Sequence, residues 1–300
     1  MIMRLLFVIL FAILLPVSAQ AQAPLNSAPL PNTAEINAEK IAIGTLIATE
    51  GSVTRLDSTG EALPLTAKAP LHLHDVIETG EDARALIVLI DNSEFTLGEN
   101  AQFTIDEYIF DDQNDALNRG RYSVLRGAFL YVSGLIAKKA DPRHDPDVIV
   151  NTPAASIGIR GTAFWGGEID GAYGVLVTDG QVNVQTQRGR INVDKDTGTT
   201  IISKNDTPAR ATAWDAEKIN RAVATITMKN PEDARARITE NAPTQAAQLA
   251  AYKEYLIKHY EQQKLLKDNR TPSTRIDNRA QPATKEEATT AKTPPASVPT

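Results

Sequence analysis

Hydrophobic and polar positions follow five successive rhythms along the 300 residues. Residues 1–23 hold an unbroken apolar run of 11 residues, Leu5 to Leu15, preceded by Arg4. Pro16 ends the run, and Ser18–Ala23 offers the small residues that a signal peptidase reads, with cleavage expected after Ala21 or Ala23. Spanning a hydrocarbon core of ~30 Å takes about 20 helical residues, so the run predicts a cleaved signal peptide rather than a membrane anchor. Residues 24–40 are polar, contain proline and show no period, which predicts a lead-in.

Between residues 41 and 204 the rhythm becomes that of short β-type runs. Alternation marks Leu71–His74, Phe103–Ile105 and Val182–Val184, a period of two that sets one strand face against a core. Ala85–Ile90 is apolar without interruption, which predicts a strand buried on both faces. Turn residues separate the runs at Glu50–Ser52, Ser58–Gly60, Thr79–Asp82, Asp91–Ser93, Gly98–Asn100, Asp170–Gly171, Asp179–Gly180 and Arg188–Arg190. Glycine, Asn and Asp there are expected to supply the positive φ of tight hairpins. Two charged connections, 111–120 and 138–147, predict exposed loops. Many short strands with close turns predict a mainly β fold: an antiparallel roll or sandwich, or a solenoid-like winding.

After Pro208 the period turns helical. Thr212 with Asp215 resembles a capping box, and Trp214, Ile219, Val223 and Ile226 then recur at three to five residues. Asn230-Pro231 reads as an N-cap followed by proline at the first helical position, opening a helix over Glu232–Glu240. A third helix is expected from Thr244 to about Asp268, with Leu249, Tyr252, Leu256 and Tyr260 on one stripe that either packs on its own domain or meets a partner. Residues 209–268 thus form a predicted α-helical extension. Residues 269–300 are rich in Pro, Thr and Ala and predict a disordered tail.

Composition removes several chemistries. The chain has no cysteine, which excludes thiol nucleophiles, redox pairs, thiolate metal sites, disulfides and an acylated cysteine. Lys plus Arg number 31 against 37 Asp plus Glu, a net charge of -6 that becomes -7 when Arg4 leaves with the signal peptide. No basic excess exists to hold nucleic acid phosphates. With 42% hydrophobic but only 5% aromatic residues, an aliphatic core is expected.

Three segments then carry a resemblance. Thr79-Gly80, a strand, Asp91-Asn92-Ser93 and a second strand ending Leu97-Gly98-Glu99-Asn100 resemble the hallmark of the FecR domain. Thr152–Phe164, with Ile157-Gly-Ile-Arg-Gly-Thr162, is similar to a second hallmark of its stand-alone members, and Val175–Val184 to a third. The resemblance covers Gly44 to Ser203, about half the chain. The family's founding members are periplasmic-facing regulators that relay occupancy of an outer-membrane iron-siderophore receptor to a sigma factor. They join a cytoplasmic anti-sigma segment, a membrane helix and the FecR domain. Here the predicted signal peptide stands where the cytoplasmic segment would be. The resemblance therefore implies a stand-alone secreted form, and the iron-starvation role does not transfer with it.

Ile157 and Ile159 share one strand face and predict core positions, leaving Gly158 and Arg160 on the other. The Arg160 fork suits a carboxylate on a ligand or partner; the alternative is an internal ion pair or capping of loop carbonyls. Trp165, in a Gly-rich turn, is expected to be an exposed contact. Arg160, Thr162 and Trp165 with nearby loops make the predicted binding surface. His72 and His74 share a strand face and can ligate a metal only if a third ligand arrives, His144 being the candidate; otherwise they are polar positions of an edge strand. The acidic loops 111–115 and 141–147 lack the glycine and terminal glutamate of a calcium loop. No metal, cofactor or catalytic residue is predicted, since hydrolase, metalloprotease, P-loop and dinucleotide motifs are all missing.

The expectation is an exported, periplasmic or secreted, non-enzymatic binding or scaffold module of the cell envelope. Its partner would be an envelope protein or surface polymer, without nucleic acid and without a transmembrane segment after signal cleavage. The alternatives are a soluble envelope sensor signalling through a separate membrane regulator, and a glycan hydrolase. The hydrolase requires two carboxylates about 5 to 9.5 Å apart in a pocket.

Overall fold

The computed structural model describes residues 41–57, 59–139 and 145–268. The predicted signal peptide, lead-in and tail lie outside these residues, as does His144. The strands in chain order are β1 Gly44–Glu50, β2 Val53–Leu56, β3 Ala62–Pro64, β4 Pro70–Leu71, β5 Val76–Thr79, β6 Arg84–Leu89, β7 Glu94–Leu97 and β8 Gln102–Ile109. They continue with β9 Arg119–Arg126, β10 Phe129–Val132, β11 Val148–Asn151, β12 Ser156–Ile159, β13 Ala163–Ile169, β14 Ala172–Asp179, β15 Gln181–Gln185, β16 Arg190–Asp194 and β17 Gly198–Ile201. Helix α1 (Leu135–Lys139) lies between β10 and β11, and α2 (Ala216–Ala224) and α3 (Pro231–Asp268) follow the strands.

The strands form two sheets. The first has eight, ordered β17-β14-β13-β10-β7-β6-β1-β4, and the second nine, ordered β16-β15-β12-β11-β9-β8-β5-β2-β3. The mainly β reading holds, as a two-sheet winding in which successive strands or hairpins alternate between sheets. One ladder departs from the antiparallel expectation: β11 runs parallel to β9. Parallel neighbours need a crossover, and here the chain makes it through β10 and α1. Both ends of the winding repeat one course. At each end a long first-sheet strand (β1, β14) passes to a second-sheet hairpin (β2–β3, β15–β16), and the chain returns beside its start (β4, β17).

Burial differs between the sheets. In the second, β8, β11, β12 and β15 alternate buried and more accessible residues, as a sheet with one face in water must. In the first, β6 is buried from Ala85 to Leu89 on both faces, as its unbroken apolar run predicts. One face meets the other sheet; the other lies under the helices. Ile47, Ala48, Leu86 and Val88 pack with Met228 and Ala234. Leu176 and Trp165 pack with Ala222 and Ile226.

The core is mostly aliphatic, as expected, but gathers around an aromatic centre. Phe95, Phe103, Phe110, Phe129, Phe164, Tyr122 and Tyr131 are all fully buried. Phe95 sits 4.6 Å from Phe103 and 4.8 Å from both Tyr122 and Tyr131, ring centre to ring centre. Few aromatics suffice when they gather in the middle of the inter-sheet space, where offset and edge contacts add to their large buried area.

The turn residues also do something other than expected. Positive φ occurs at Gly51, Lys68, His74, Asp82, Asn100, Gly127, Gly161, Gly180 and Asp196, and each of these stands where the chain passes from one sheet to the other. Only Gly60, Asn92, Asp170 and Gly171, among the described residues of positive φ, lie in hairpins. The left-handed conformation reverses the chain within one or two residues. Neighbouring corners nest: a Cβ on Gly127 would come within 2.4 Å of Ala101 Cα, and one on Gly180 within 2.4 Å of the Gly161 carbonyl oxygen.

The helices differ in extent from the sequence expectation. The cap of α2 is Asp215, whose carboxylate accepts from the Lys218 amide at 2.8 Å; Thr212 instead bridges to Gly198 beside β17. Val223 faces outward, and Ala222 takes the buried position. The two helices expected on either side of Pro243 are a single helix, α3. The proline removes one amide donor and crowds the preceding turn, at about 3 kcal/mol or more, and tertiary contacts hold the helix against that loss. Gln245 donates to the Leu89 carbonyl at 2.8 Å, Gln248 to that of Gly44 at 3.2 Å, and the Tyr252 hydroxyl to that of Tyr108 at 3.1 Å. The chain divides into two compact units, Met1–Tyr255 and Leu256–Thr300. Among its described residues the second consists of the last turns of α3. Among the described residues no helix is long and apolar enough to cross a membrane.

Candidate binding site

The three residues of the predicted surface separate in the fold. Arg160 is exposed at the end of β12. Thr162 is 3% exposed; its amide donates to Ser133 Oγ at 2.7 Å and its carbonyl accepts from the Ser133 amide at 2.9 Å. It clamps the end of β10. Trp165 is 1% exposed, and its indole donates to Thr225 Oγ1 at 3.0 Å while its ring meets Trp214 edge-on at 6.1 Å. The expected exposed Trp165 contact is therefore corrected. Two glycines follow it in β13, but α2 covers that face, so the apparent turn is a strand beneath a helix.

The histidines are corrected too. The strand β4 ends at Leu71, and His74 occupies the left-handed region, so His72 and His74 do not share a strand face. His72 instead joins Asp75 and Arg55: the guanidinium donates to Asp75 Oδ2 at 3.0 Å, and His72 Nδ1 lies 3.5 Å from the same oxygen. Although burial raises the Asp75 carboxyl, hydrogen bonds from His72 and Arg55 outweigh it and hold the carboxyl below its usual range. Among the described residues no three His, Asp or Glu side chains gather to hold a metal. Asp112 and Asp115 of the first acidic loop are paired with Lys253 and Lys139.

Asp91 is the most enclosed carboxylate of the family-like segment, 1% exposed. Its Oδ1 accepts from the Ser93 amide at 3.1 Å, Ser93 Oγ at 2.7 Å and the Tyr108 hydroxyl at 3.2 Å, and its Oδ2 from the Ile136 amide at 3.3 Å. Burial pushes this carboxyl up, against the pull of those donors. Shut away from solvent, it ties the β6–β7 turn to the start of α1. Thr79 acts similarly, donating to the Gly98 carbonyl at 2.6 Å and accepting from the Ala101 amide at 2.8 Å. Thr79, Asp91, Ser93, Thr162 and the corner residues Asn100, Gly161 and Gly180 are therefore locks of the winding.

A concavity lies elsewhere, bordered by strand ends of both sheets. A cleft of about 480 Å³ opens between the end of β9, the β11–β12 turn, the start of β14 and the segment after β17. Leu125 and Ile202 border it and are 52% and 83% exposed. Tyr173 forms part of its wall, 8% exposed, with burial holding the phenol un-ionised. Arg126, Glu168 and Lys204 supply charge around the rim. Smaller hollows adjoin it, one sharing Gly127 and Glu168, the other Pro153 and Lys204. Glu99 and Glu168 both border the first of these, but Glu99 accepts from the Asp82 amide at 3.0 Å. The three hollows share lining residues and set Leu125 and Ile202 among charged and polar neighbours.

Sequence reasoning did not single out Leu125 or Ile202. The available signal was local: each is a large aliphatic beside a charged or polar residue, Arg126 or Ser203, where a strand runs out. Only the fold shows that both lie on one cleft.

Residues 75–183 match the family described as FecR protein. No curated protein matches the chain. Among solved structures it is similar to a candidate anti-sigma factor from Parabacteroides distasonis ATCC 8503, solved at 2.50 Å and at 1.65 Å, with 16% identity and a TM-score of 0.37. The likeness covers 48% of this chain and 62% of that one, so the chain spans about three fifths of that structure's length. The locks at Thr79, Asp91, Ser93 and Asn100 fall within the matched residues, so the part of the two-sheet body that is similar to the FecR family is residues 75–183.

Proposed function

We propose that this chain is a non-enzymatic binding module of the cell envelope, exported to the periplasm or beyond, which seats an extended segment of an envelope protein or surface polymer in the end cleft. The observation that carries this reading is the joint exposure of Leu125 and Ile202 on the walls of one cleft. Two aliphatics left in water beside a buried tyrosine mark a surface that gains by being covered. The enclosure of Asp91 supports a non-catalytic reading: this carboxyl, pushed up by burial, is out of reach of any substrate.

Affinity capture from envelope extracts with the tagged mature chain tests this, compared with a Leu125→Ser/Ile202→Ser variant. A discrete protein or polymer is expected on the wild type and absent from the variant. Equal retention would move the binding surface elsewhere, and retention of nothing by either form would end the binding reading.

The match of residues 75–183 to the FecR family favours a second reading, a soluble sensor that signals through a separate membrane regulator. The identity of the captured species separates the two: a membrane regulator supports signalling, a wall or surface polymer supports scaffolding.

A further inference from the structure

Each sheet ends in two edge strands, β17 and β4 in the first and β16 and β3 in the second. Three of these edges are closed. The strand β3 ends in Pro64, and β4 is two residues long and opens with Pro70; proline brings no donor to an edge. The strand β17 is covered: Gly198 and Thr212 exchange two backbone bonds, at 2.8 and 3.0 Å, and Thr200 accepts from the Ala209 amide at 3.0 Å. The fourth edge, β16 (Arg190–Asp194), has no proline. Among the described residues no backbone group outside the β15–β16 hairpin bonds to Arg190, Ile191, Asn192 or Val193.

The phase of the hairpin decides which of these groups point outward. The Thr186 amide donates to the Gly189 carbonyl at 2.9 Å, and bonded pairs recur at every second position of an antiparallel ladder. With Gln185 opposite Arg190 and Gln181 opposite Asp194, the bonded pairs are Val184 with Ile191 and Val182 with Val193. Arg190, Asn192 and Asp194 therefore turn their backbone amides and carbonyls away from β15. The Asp194 carbonyl accepts from the Thr197 amide at 3.1 Å; the others are open. All three side chains are exposed, whereas Ile191 is half-buried and Val193 buried on the opposite face. Edges are commonly guarded by charge of one sign, which repels a second copy. On β16 the charges are opposite and equidistant from Asn192: Arg190 two residues before it, Asp194 two residues after. A two-fold axis through Asn192 sets each Arg190 against Asp194 of the other copy, and Ile191 against Val193. The same axis makes Asn192 its own bonded partner, so that outward amides meet outward carbonyls in register. Gln181 donates to Asp194 Oδ1, which orients that carboxylate and leaves Oδ2 for a guanidinium.

We propose that β16 is a self-pairing edge: two copies of the chain join antiparallel about Asn192, with Arg190 and Asp194 paired across the axis, and run their second sheets into one. A contact five residues long spans about 17 Å, the size of a weak and reversible interface. The pairing is independent of the end cleft and its adjoining hollows, none of whose lining residues lies on β16.

Sedimentation equilibrium of the full mature chain reads the association directly. The chain is expected to be monomeric at about 1 µM and mostly dimeric at about 0.5 mM, as suits a contact this small. Arg190→Glu or Asp194→Arg alone sets like charges opposite each other twice, and each should weaken dimerisation by about tenfold or more. The two changes together restore the opposition of charge and should return the dimer to within about threefold of wild type. Both positions are exposed, so the circular dichroism of the dilute variants should match that of the wild type. Leu125→Ser/Ile202→Ser should dimerise as the wild type does; loss of the dimer there would place the interface at the cleft and overturn the proposal. A chain monomeric throughout, a dimer indifferent to both single reversals, or a double variant no better than the singles would each overturn it as well.

Discussion

Asp91 shows how a conspicuous residue can serve the fold alone. Four donors converge on its carboxylate in a closed space, so Asp91→Ala would leave each without a partner, at about 1–3 kcal/mol for a buried group. The expected loss is at least about 1–3 kcal/mol, read as a lower urea midpoint. The pH dependence has a definite sign. Its folded carboxyl titrates above the unfolded one, so its contribution to stability is complete below about pH 4, the unfolded value, and falls as pH rises through the folded value. Asp91→Asn should lack that decline; an identical pH profile for both proteins would contradict it. The Asp91-x-Ser93 turn was legible as a motif, but its partners were not. Tyr108 and Ile136 lie 17 and 45 residues away, and no local pattern announces a contact of that span. Trp165 teaches the same lesson: aromatic next to Gly166 and Gly167, it reads as a loop residue until α2 is placed over it.

At the scale of elements, strands were read best where their period was unmixed. Val182 and Val184, Ile157 and Ile159, and Ala85–Leu89 all point where alternation or its absence says they should. The connections were read correctly as turns, but half of them join the two sheets instead of closing hairpins, because a glycine states that φ is positive without stating which sheet comes next. Two glycines separate these roles experimentally. Gly127 (φ +76°) is pressed against Ala101, whereas Gly171 (φ +75°) has nothing within 4 Å of an added Cβ. Gly171→Ala should therefore cost only the left-handed penalty of about 1–2 kcal/mol. Gly127→Ala must also displace the Ala101 backbone, and about 3 kcal/mol or more is expected. Equal urea midpoints for the two variants would refute the nesting of corners. Pro243 shows the opposite failure, a strong breaker overruled by glutamines and a tyrosine that hold α3 against the β body on its far side.

For the whole molecule, the division into β domain and helical extension describes the rhythm of the chain better than its cohesion. The outer face of the first sheet presents Ile47, Leu86, Val88, Trp165 and Leu176, and the segment from Ala222 to Ala234 packs on it. A chain ending after Pro208 should therefore self-associate in light scattering and show red-shifted Trp165 fluorescence, since a contiguous apolar face of this kind does not stay in water. A monomer with unshifted emission would show that the helices are dispensable. The family pattern of residues 75–183 also stops short of β1 and of most of the outer strands, so it marks less than a folding unit.

The alternation of sheets imposes a rule of parity on the chain. Several strands of the first sheet, β6 and β14 among them, are buried on both faces, and those of the second on one. An insertion that added a single crossing would send every later strand to the wrong sheet, putting Trp165 and Leu176 in water and polar Asn183 beneath a helix. Insertions and deletions survive only if they change the number of crossings by an even count. Relatives of different length are then expected to differ by whole out-and-back loops, as the two ends of this body already do from its middle.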